Sequence, residues 1–269
     1  MKKKIYTIFG HTGFIGSFLK KRLNKEILIL PDKNKFRFKK NLGNIIYCIG
    51  SDNWINDTYN SYYANLGYIP EIIKKNKYSS FTFLSTSRIY RNLENTSESA
   101  NLLINPNNLN DYYNIKKICA ESFLLSQQEK RIKVIRLSNI YGFNKKTELV
   151  IPALIKSALK NKLIKIFINK KCSKDFLSIE NIFPIILNII HQGKSKIYNV
   201  ASGKNISLEK IASKISLLTN CKIKYLQQKK IINEPIINIK KVQKEFNFKP
   251  SSNIINDLPK LIDKYKKFI

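Results

Sequence analysis

The segment Gly10–Gly16 (GHTGFIG) constrains this chain more than any other stretch. A short β-branched and aromatic run, Lys4–Phe9, precedes it, and a helical pattern, Phe14–Leu23, follows it. Glycines at 10, 13 and 16 serve three physical needs in such a strand–turn–helix unit. The first permits a tight turn, the second lets backbone approach a pyrophosphate, and the third lets helix and strand pack closely. The amides at the helix start and the positive end of its dipole then face the phosphates. On this reading Gly10, Thr12, Gly13, Phe14, Ile15 and Gly16 form a dinucleotide-binding turn. The basic, partly apolar start reads as a first strand and not as a secretory leader, because Gly10, His11, Thr12 and Gly13 break the apolar stretch and no small-residue cleavage site closes it.

Strand and helix patterns alternate after this turn. Glu26–Leu30, Ile45–Ile49, Phe81–Ser85 and Ile132–Leu137 read as strands, and Thr58–Lys75 and Asn110–Gln127 as helices. Alternation of this kind predicts an α/β fold, a Rossmann-type doubly wound parallel sheet. Past about residue 140 the pattern changes. Val150–Lys160, Ile182–Ile190, Leu208–Leu218 and Leu258–Phe268 read as helices, with Ser207 as an N-cap and Lys222–Leu226 as a short strand. The expected organisation is a dinucleotide-binding domain over 1–140 and, over 141–269, mainly a smaller substrate-binding lobe whose chain can cross back to the sheet.

Composition narrows the class. The chain has 269 residues and 43% hydrophobic content, enough for a full core. No apolar run reaches the ~18–20 residues needed to span a membrane, so a cytoplasmic protein is expected. Four scattered cysteines and two histidines, His11 and His191, give no metal-ligand spacing. Lys and Arg number 49 against 18 Asp and Glu, a net charge of +31. The lysines run along the whole chain without an arginine-rich or aromatic-interleaved tract, which argues against a specific nucleic-acid partner. A positive field would still speed the encounter with an anionic substrate.

A Tyr and a Lys four apart on a helix share a face, and the ammonium favours the phenolate. Two overlapping pairs meet this spacing, Tyr112 with Lys116 and Tyr113 with Lys117, and spacing alone does not choose between them.

The string Tyr113–Glu121 (YNIKKICAE) resembles the Y-G-x-S-K-x-x-x-E segment of the extended short-chain dehydrogenases, the NAD-dependent epimerase/dehydratase family of nucleotide-sugar enzymes. Other segments agree in order: GHTGFIGS at 10–17, IIYCIGS at 45–51 ending in Gly50 and Ser51 against the dinucleotide, Asn65 in a helix, LSTSRIY at 84–90, IRLSNIYG at 135–142, KDFLSIEN at 174–181 and YNVASG at 198–203. The resemblance spans nearly the whole chain. It selects Tyr113 and Lys117, with Glu121 at the family's Glu, and implies a catalytic set of Thr86, Tyr113 and Lys117. Tyr113 would be the general acid/base. Lys117 would lower its pKa and hold the nicotinamide ribose, and Thr86 would bond the reacting oxygen. Thr86, Ser87 and Asn139 would contact substrate.

Two departures refine the expectation. Family 4,6-dehydratases carry Asp-Glu after the catalytic Thr, and decarboxylating relatives keep a Glu there; this chain has Ser87 and Arg88. The reaction left is 4-keto reduction of a nucleotide-linked deoxy sugar, or alternatively 4-epimerisation; an alternative of another class is a non-catalytic dinucleotide sensor or scaffold. The stretch between Leu30 and Ile45 is also short, a polar loop where the family has a further helix and strand, so a smaller sheet is expected. Asp32 there would favour NAD, whereas Lys33, Lys35 and Arg37 would favour the 2′-phosphate of NADP, toward which the reading leans. The two long helices are where family members dimerise, so a homodimer is expected.

Overall fold

In a computed structural model, described over residues 3–32, 37–38, 40–50, 57–144, 149–167, 169, 172–226 and 234–269, the chain divides into two units. Unit 1 comprises residues 1–89, 101–137 and 183–198, and unit 2 comprises 90–100, 138–182 and 199–269. The elements run β1 (Ile5–Phe9), α1 (Phe14–Arg22), β2 (Ile27–Ile29), β3 (Asn44–Tyr47), α2 (Thr58–Tyr62), a π-turn (Tyr63–Gly67), α3 (Tyr68–Lys75), β4 (Ser80–Thr86), α4 (Tyr112–Ser126) and β5 (Ile132–Leu137). They continue with β6 (Asn139–Tyr141), α5 (Val150–Asn161), β7 (Leu163–Ile166), β8 (Ser173–Ser178), α6 (Ile179–Gln192), β9 (Ile197–Val200), β10 (Asn205–Ser207), α7 (Leu208–Thr219), β11 (Lys222–Tyr225), α8 (Lys240–Phe246) and α9 (Ile254–Lys266).

The main sheet has the order β2-β1-β3-β4-β5-β9. The pairings β1–β2, β1–β3, β3–β4 and β4–β5 are all parallel. Parallel strands covered on both faces bury nearly every residue. β5 (IKVIRL) is buried at all six positions, and β4 is buried from Ser80 to Ser85. Phe81 and Phe83 of β4 are fully buried beside Tyr47, Ile69, Ile72 and Leu124. Each such side chain contributes about 1.5–3 kcal/mol of transfer free energy. The expected doubly wound sheet is therefore present. Among the described residues no helix or strand separates β2 from β3, in line with the short stretch there.

Chain order reverses between β1 and β3. From β1 the chain passes to β2 on one side, then returns to β3 on the other. In open α/β sheets a ligand crevice opens at such a switch point, beyond the carboxyl ends of the strands. Those ends here are Gly10 and Cys48–Gly50.

Unit 2 holds a three-stranded sheet, β10-β8-β6, and a parallel pair, β11-β7. Apolar faces of α5, α7 and α9 close its core through Ile155, Ala158, Ile211, Ile215, Leu258 and Tyr265. Ser207 caps α7 by accepting from the Lys210 amide, as the sequence predicts. The Asp175 carboxylate on β8 accepts from the amides of Ser202, Gly203 and Lys204 and from the Ser202 hydroxyl. Asp175 in the string 174–181 is thus joined to the turn 202–204, which overlaps the end of the string 198–203.

Candidate active site

The glycine turn begins where β1 ends. Gly10 has φ +87°, and a Cβ there would lie 2.9 Å from the Cys48 carbonyl carbon and the Ile49 nitrogen. Only glycine lets β1 and β3 converge at this point. A Cβ on Gly16 would lie 2.1 Å from the Gly10 carbonyl oxygen, so the third glycine seats α1 on the turn. Gly13 is the N-cap, and its amide donates to the Gly10 oxygen at 3.0 Å. Thr12 and Gly13 are exposed, Phe14 and Ile15 half-buried, and Gly16 buried. The first turn of α1 carries no acidic side chain, so no acid of that turn offsets the helix's positive end. A surface made of backbone amides, with side chains excluded at two positions, fits a pyrophosphate.

The other predicted cofactor contacts follow β2 and β3 in sequence. Gly50 is exposed at the end of β3, and a Cβ there would meet no described atom within 4 Å. Asp32 is exposed just after β2. Ser51, Lys33 and Lys35 lie outside the described residues.

β4 and α4 bring the predicted catalytic residues to one region of unit 1. Thr86 is the last residue of β4, half-buried, and its hydroxyl oxygen accepts from the Arg88 amide at 3.2 Å. That bond uses a lone pair and leaves the hydroxyl proton available. Ser87 is buried in the short 3₁₀ turn that follows. The Lys117 amine is buried and donates to the Leu84 carbonyl at 3.1 Å, with the Phe83 ring 4.7 Å away. Tyr113 is half-buried one turn earlier on α4, and the Arg88 guanidinium lies 5.6 Å from its ring centroid.

The two Tyr–Lys pairs diverge. The Tyr112 hydroxyl donates to the Thr58 carbonyl at 3.1 Å, and the Lys116 amine bonds the Ser61 hydroxyl while sitting 3.9 Å from the Tyr112 ring centroid. That pair ties α4 to α2. Lys117 turns instead to the Leu84 carbonyl, two residues before the carboxyl end of β4.

Electrostatics follow from burial. Desolvation pushes the Lys117 ammonium down to about 8, opposed by Glu121 and by Cys48 and assisted by Lys116. Burial also lowers Lys116 to about 8. The Cys48 thiol, at the end of β3, is pushed up to about 12 by burial and stays a neutral thiol. Glu121 is not free for proton transfer. It forms a buried ion pair with Arg136, Nη2 to Oε2 at 2.6 Å and Nε to Oε2 at 3.0 Å, and accepts from the Ser85 hydroxyl. The Glu in the helix motif thus fastens α4 to β4 and β5.

Asn139 opens β6 in unit 2. Its Nδ2 donates to the Asp175 carbonyl at 2.9 Å and to Glu234 Oε2 at 3.2 Å. Glu234 also pairs with Lys174 at 3.1 Å. Two further features escaped the sequence reading. His11 Nδ1 is buried in the glycine turn with no hydrogen-bond partner among the described residues. Arg88 joins Thr86 to Tyr113, a link that the departure from the family pattern signalled without revealing what Arg88 touches.

A model of the NAD dependent epimerase/dehydratase family matches residues 49–201, more than half of the chain. The chain is similar to a dTDP-D-glucose 4,6-dehydratase of Dictyostelium discoideum, 29% identical over 163 residues; the match takes in 55% of this chain and 37% of that protein. A solved UDP-N-acetylglucosamine 4-epimerase from Methanobrevibacter ruminantium M1, in complex with UDP-N-acetylmuramic acid, superposes with a TM-score of 0.85 at 19% identity, over 100% of both chains. RMD from Pseudomonas aeruginosa, complexed with NADPH, superposes with a TM-score of 0.81 at 16% identity, over 99% of both chains. At these identities the structural likeness speaks for the fold. No described helix is long and apolar enough to cross a membrane.

Proposed function

The chain belongs to the NAD dependent epimerase/dehydratase family, and we propose that it is an NAD(P)-dependent enzyme that reduces the 4-keto group of a nucleotide-linked deoxy sugar. The reading rests on the seating of the Lys117 amine against the Leu84 carbonyl, with Tyr113 one helical turn before it and Thr86 two residues beyond Leu84.

The dinucleotide would lie on Gly10–Gly16, its pyrophosphate against the backbone amides, with Gly50 offering open space at the end of β3. When bound, its nicotinamide would supply the hydride for the carbonyl carbon. The chain's own residues manage the oxygen. The Thr86 hydroxyl, its lone pair held by the Arg88 amide, donates its proton to the carbonyl oxygen and polarises it. The Tyr113 phenol delivers a proton to that oxygen as it becomes an alkoxide. The Lys117 ammonium favours the resulting phenolate and holds the nicotinamide ribose. By the family resemblance, Ser87 and, in unit 2, Asn139 would contact the sugar. Asn139 would present its carbonyl oxygen, because its Nδ2 is held by Asp175 and Glu234.

Eliminating water would need an acid and a base beside Thr86. Ser87 and Arg88 stand there, and the nearby Glu121 is locked to Arg136. This favours reduction over dehydration. The basic run Lys33, Lys35 and Arg37 favours NADPH, and RMD, solved with NADPH, shares the fold. Exposed Tyr59, Tyr62 and Tyr63 along α2 and the π-turn offer the surface for a homodimer.

The test is a titration with NADH and NADPH by nicotinamide fluorescence, followed by a dTDP-linked 4-keto-6-deoxy sugar. One NADPH oxidised per sugar reduced is the expected result. Interconversion of 4-epimers without net cofactor turnover would establish an epimerase instead, and binding of neither dinucleotide would overturn the enzyme reading.

A further inference from the structure

Arg88 stands at the junction of the two groups to which the proposed reaction assigns proton chemistry. Its backbone amide donates to the Thr86 hydroxyl oxygen at 3.2 Å. Its guanidinium carbon lies 5.6 Å from the Tyr113 ring centroid, and its Nη2 donates to the Asn110 carbonyl at 3.3 Å, just ahead of α4. One residue therefore ties the end of β4 to the start of α4 at the point where Thr86 and Tyr113 must face a single oxygen atom.

Charged groups stand near Tyr113 on the described elements. Lys116 and Lys117 lie on its own helix, Asp111 in the turn before it, and Arg88 after β4. Lys116 is turned to Ser61. The Asp111 carboxylate is held by the Asn114 side chain at 3.1 Å and the Asn105 amide at 3.2 Å. Glu121, a turn beyond Lys117, is neutralised by Arg136. Cys48 stays a neutral thiol. Lys117, one turn along the helix, and Arg88, over the Tyr113 ring, are both cations. They differ in kind: burial lowers Lys117 to about 8, whereas a guanidinium keeps its charge throughout the working range of a protein.

We infer that Arg88 is a positioning residue for the proposed reaction: it fixes the Thr86 hydroxyl and the Tyr113 ring in one frame and supplies beside the phenol a positive charge that does not titrate. A cation near the ring favours phenolate over phenol. A lysine that sheds its proton near pH 8 supplies that help only in part of the pH range. Arg88 supplies it throughout.

The inference rests on reading Tyr113 as the acid/base, so its test reads the phenol itself and does not depend on turnover. The full chain is labelled with ¹³Cζ-tyrosine, and the Tyr113 resonance is identified by its loss in Tyr113→Phe. Its titration is followed by NMR in the native protein, Arg88→Gln and Arg88→Lys. Arg88→Gln moves the midpoint up by about one pH unit, tenfold less phenolate at a given pH, and Arg88→Lys restores at least half of the shift. Arg88→Met, which keeps an aliphatic stem on the ring, serves as the neutral variant if Arg88→Gln does not fold. An unchanged midpoint in the neutral variants overturns the inference, as does a Lys variant that behaves like Gln. A protein that shows the shift yet never oxidises NADPH would sink the reductase reading and leave Arg88's role intact.

Discussion

The Lys117 amine and the Leu84 carbonyl oxygen are joined across the α4–β4 contact by a 3.1 Å hydrogen bond inside the protein core. Lys116, its neighbour, reaches Ser61 on α2. One residue of offset, roughly 100° around a helix, separates an amine that serves the sheet end from one that serves a helix contact.

That divergence gives the first prediction. Lys117→Met reduces reductase turnover at least a hundredfold, the usual scale for a group assisting proton transfer. Lys116→Met leaves turnover within about threefold, because the methionine still packs on Tyr112 and the losses, one hydrogen bond worth about 1 kcal/mol and the cation–π contact with Tyr112, fall on a helix contact. Steady-state rates of both variants with NADPH check this. A hundredfold loss confined to Lys116→Met would mean that Tyr112, not Tyr113, is the acid/base.

The spacing could not have foretold this. Both pairs share the interval of four, and what separates them is the partner each amine meets after folding. Five strands of the main sheet, β1 to β5, were legible as runs of branched or aromatic residues, most of them buried by a doubly covered sheet, whereas β9, four residues long, was not read as a strand. β8 was not read as a strand: its Ser, Lys and Asp look like loop, and Asp175 is tolerable inside only because the distant turn 202–204 donates to it. β6 and β10, three residues each, fall below any pattern length. The π-turn at Tyr63–Gly67 interrupts a helix whose periodicity reads as continuous. The sequence resemblance pointed to Glu121 as a marker of the helix, while its work, holding Arg136 and Ser85, belongs to the packed state.

The buried lysines set a pH dependence. Lys116 and Lys117 have folded pKa values of about 8, below the unfolded value. Between pH 8 and about 10.4 the unfolded chain holds the more protons, so their linkage makes stability rise with pH across that window. Below pH 8 both states are protonated and the burial penalty is at its full size. From about pH 9 the Cys48 thiol, raised to about 12, opposes this rise, and above about pH 10 the buried tyrosines join it, since Tyr6 is also raised to about 12 and its stabilising contribution is lost as pH climbs through that range. Denaturant unfolding at pH 7.5 and 9.5 should give a higher midpoint at 9.5 in the native protein. The gain should be smaller in Lys117→Met, and a native midpoint that falls over this interval contradicts the account.

The glycine turn separates binding from folding. Gly16→Ala forces a Cβ to within 2.1 Å of the Gly10 carbonyl, with backbone on the other side of the clash. Overpacking of this kind costs about 1–3 kcal/mol, and α1 must lift from the turn that would hold the pyrophosphate. Both thermal stability and NADPH affinity fall. Gly50→Ala meets no described atom and leaves the melting temperature unchanged, yet weakens NADPH binding if the open space at the end of β3 is where the dinucleotide lies. Unchanged affinity in Gly50→Ala would move the dinucleotide away from β3.

The Glu121–Arg136 pair allows a sharper test of what holds α4 in place. Both side chains are buried, and Ser85 completes the set. Glu121→Leu removes the carboxylate from the buried Arg136 guanidinium, and breaking a buried pair from one side costs about 3–5 kcal/mol. Adding Arg136→Met removes the guanidinium as well and recovers most of that loss, because two apolar side chains of similar size replace an ion pair whose desolvation cost nearly matched its attraction. Chemical denaturation of the two variants gives the comparison. If stability returns in the double variant together with NADPH turnover, the pair acts as a fastener that packing can replace. If stability returns and turnover does not, the charges of the pair themselves help to set Lys117, whose ammonium Glu121 supports.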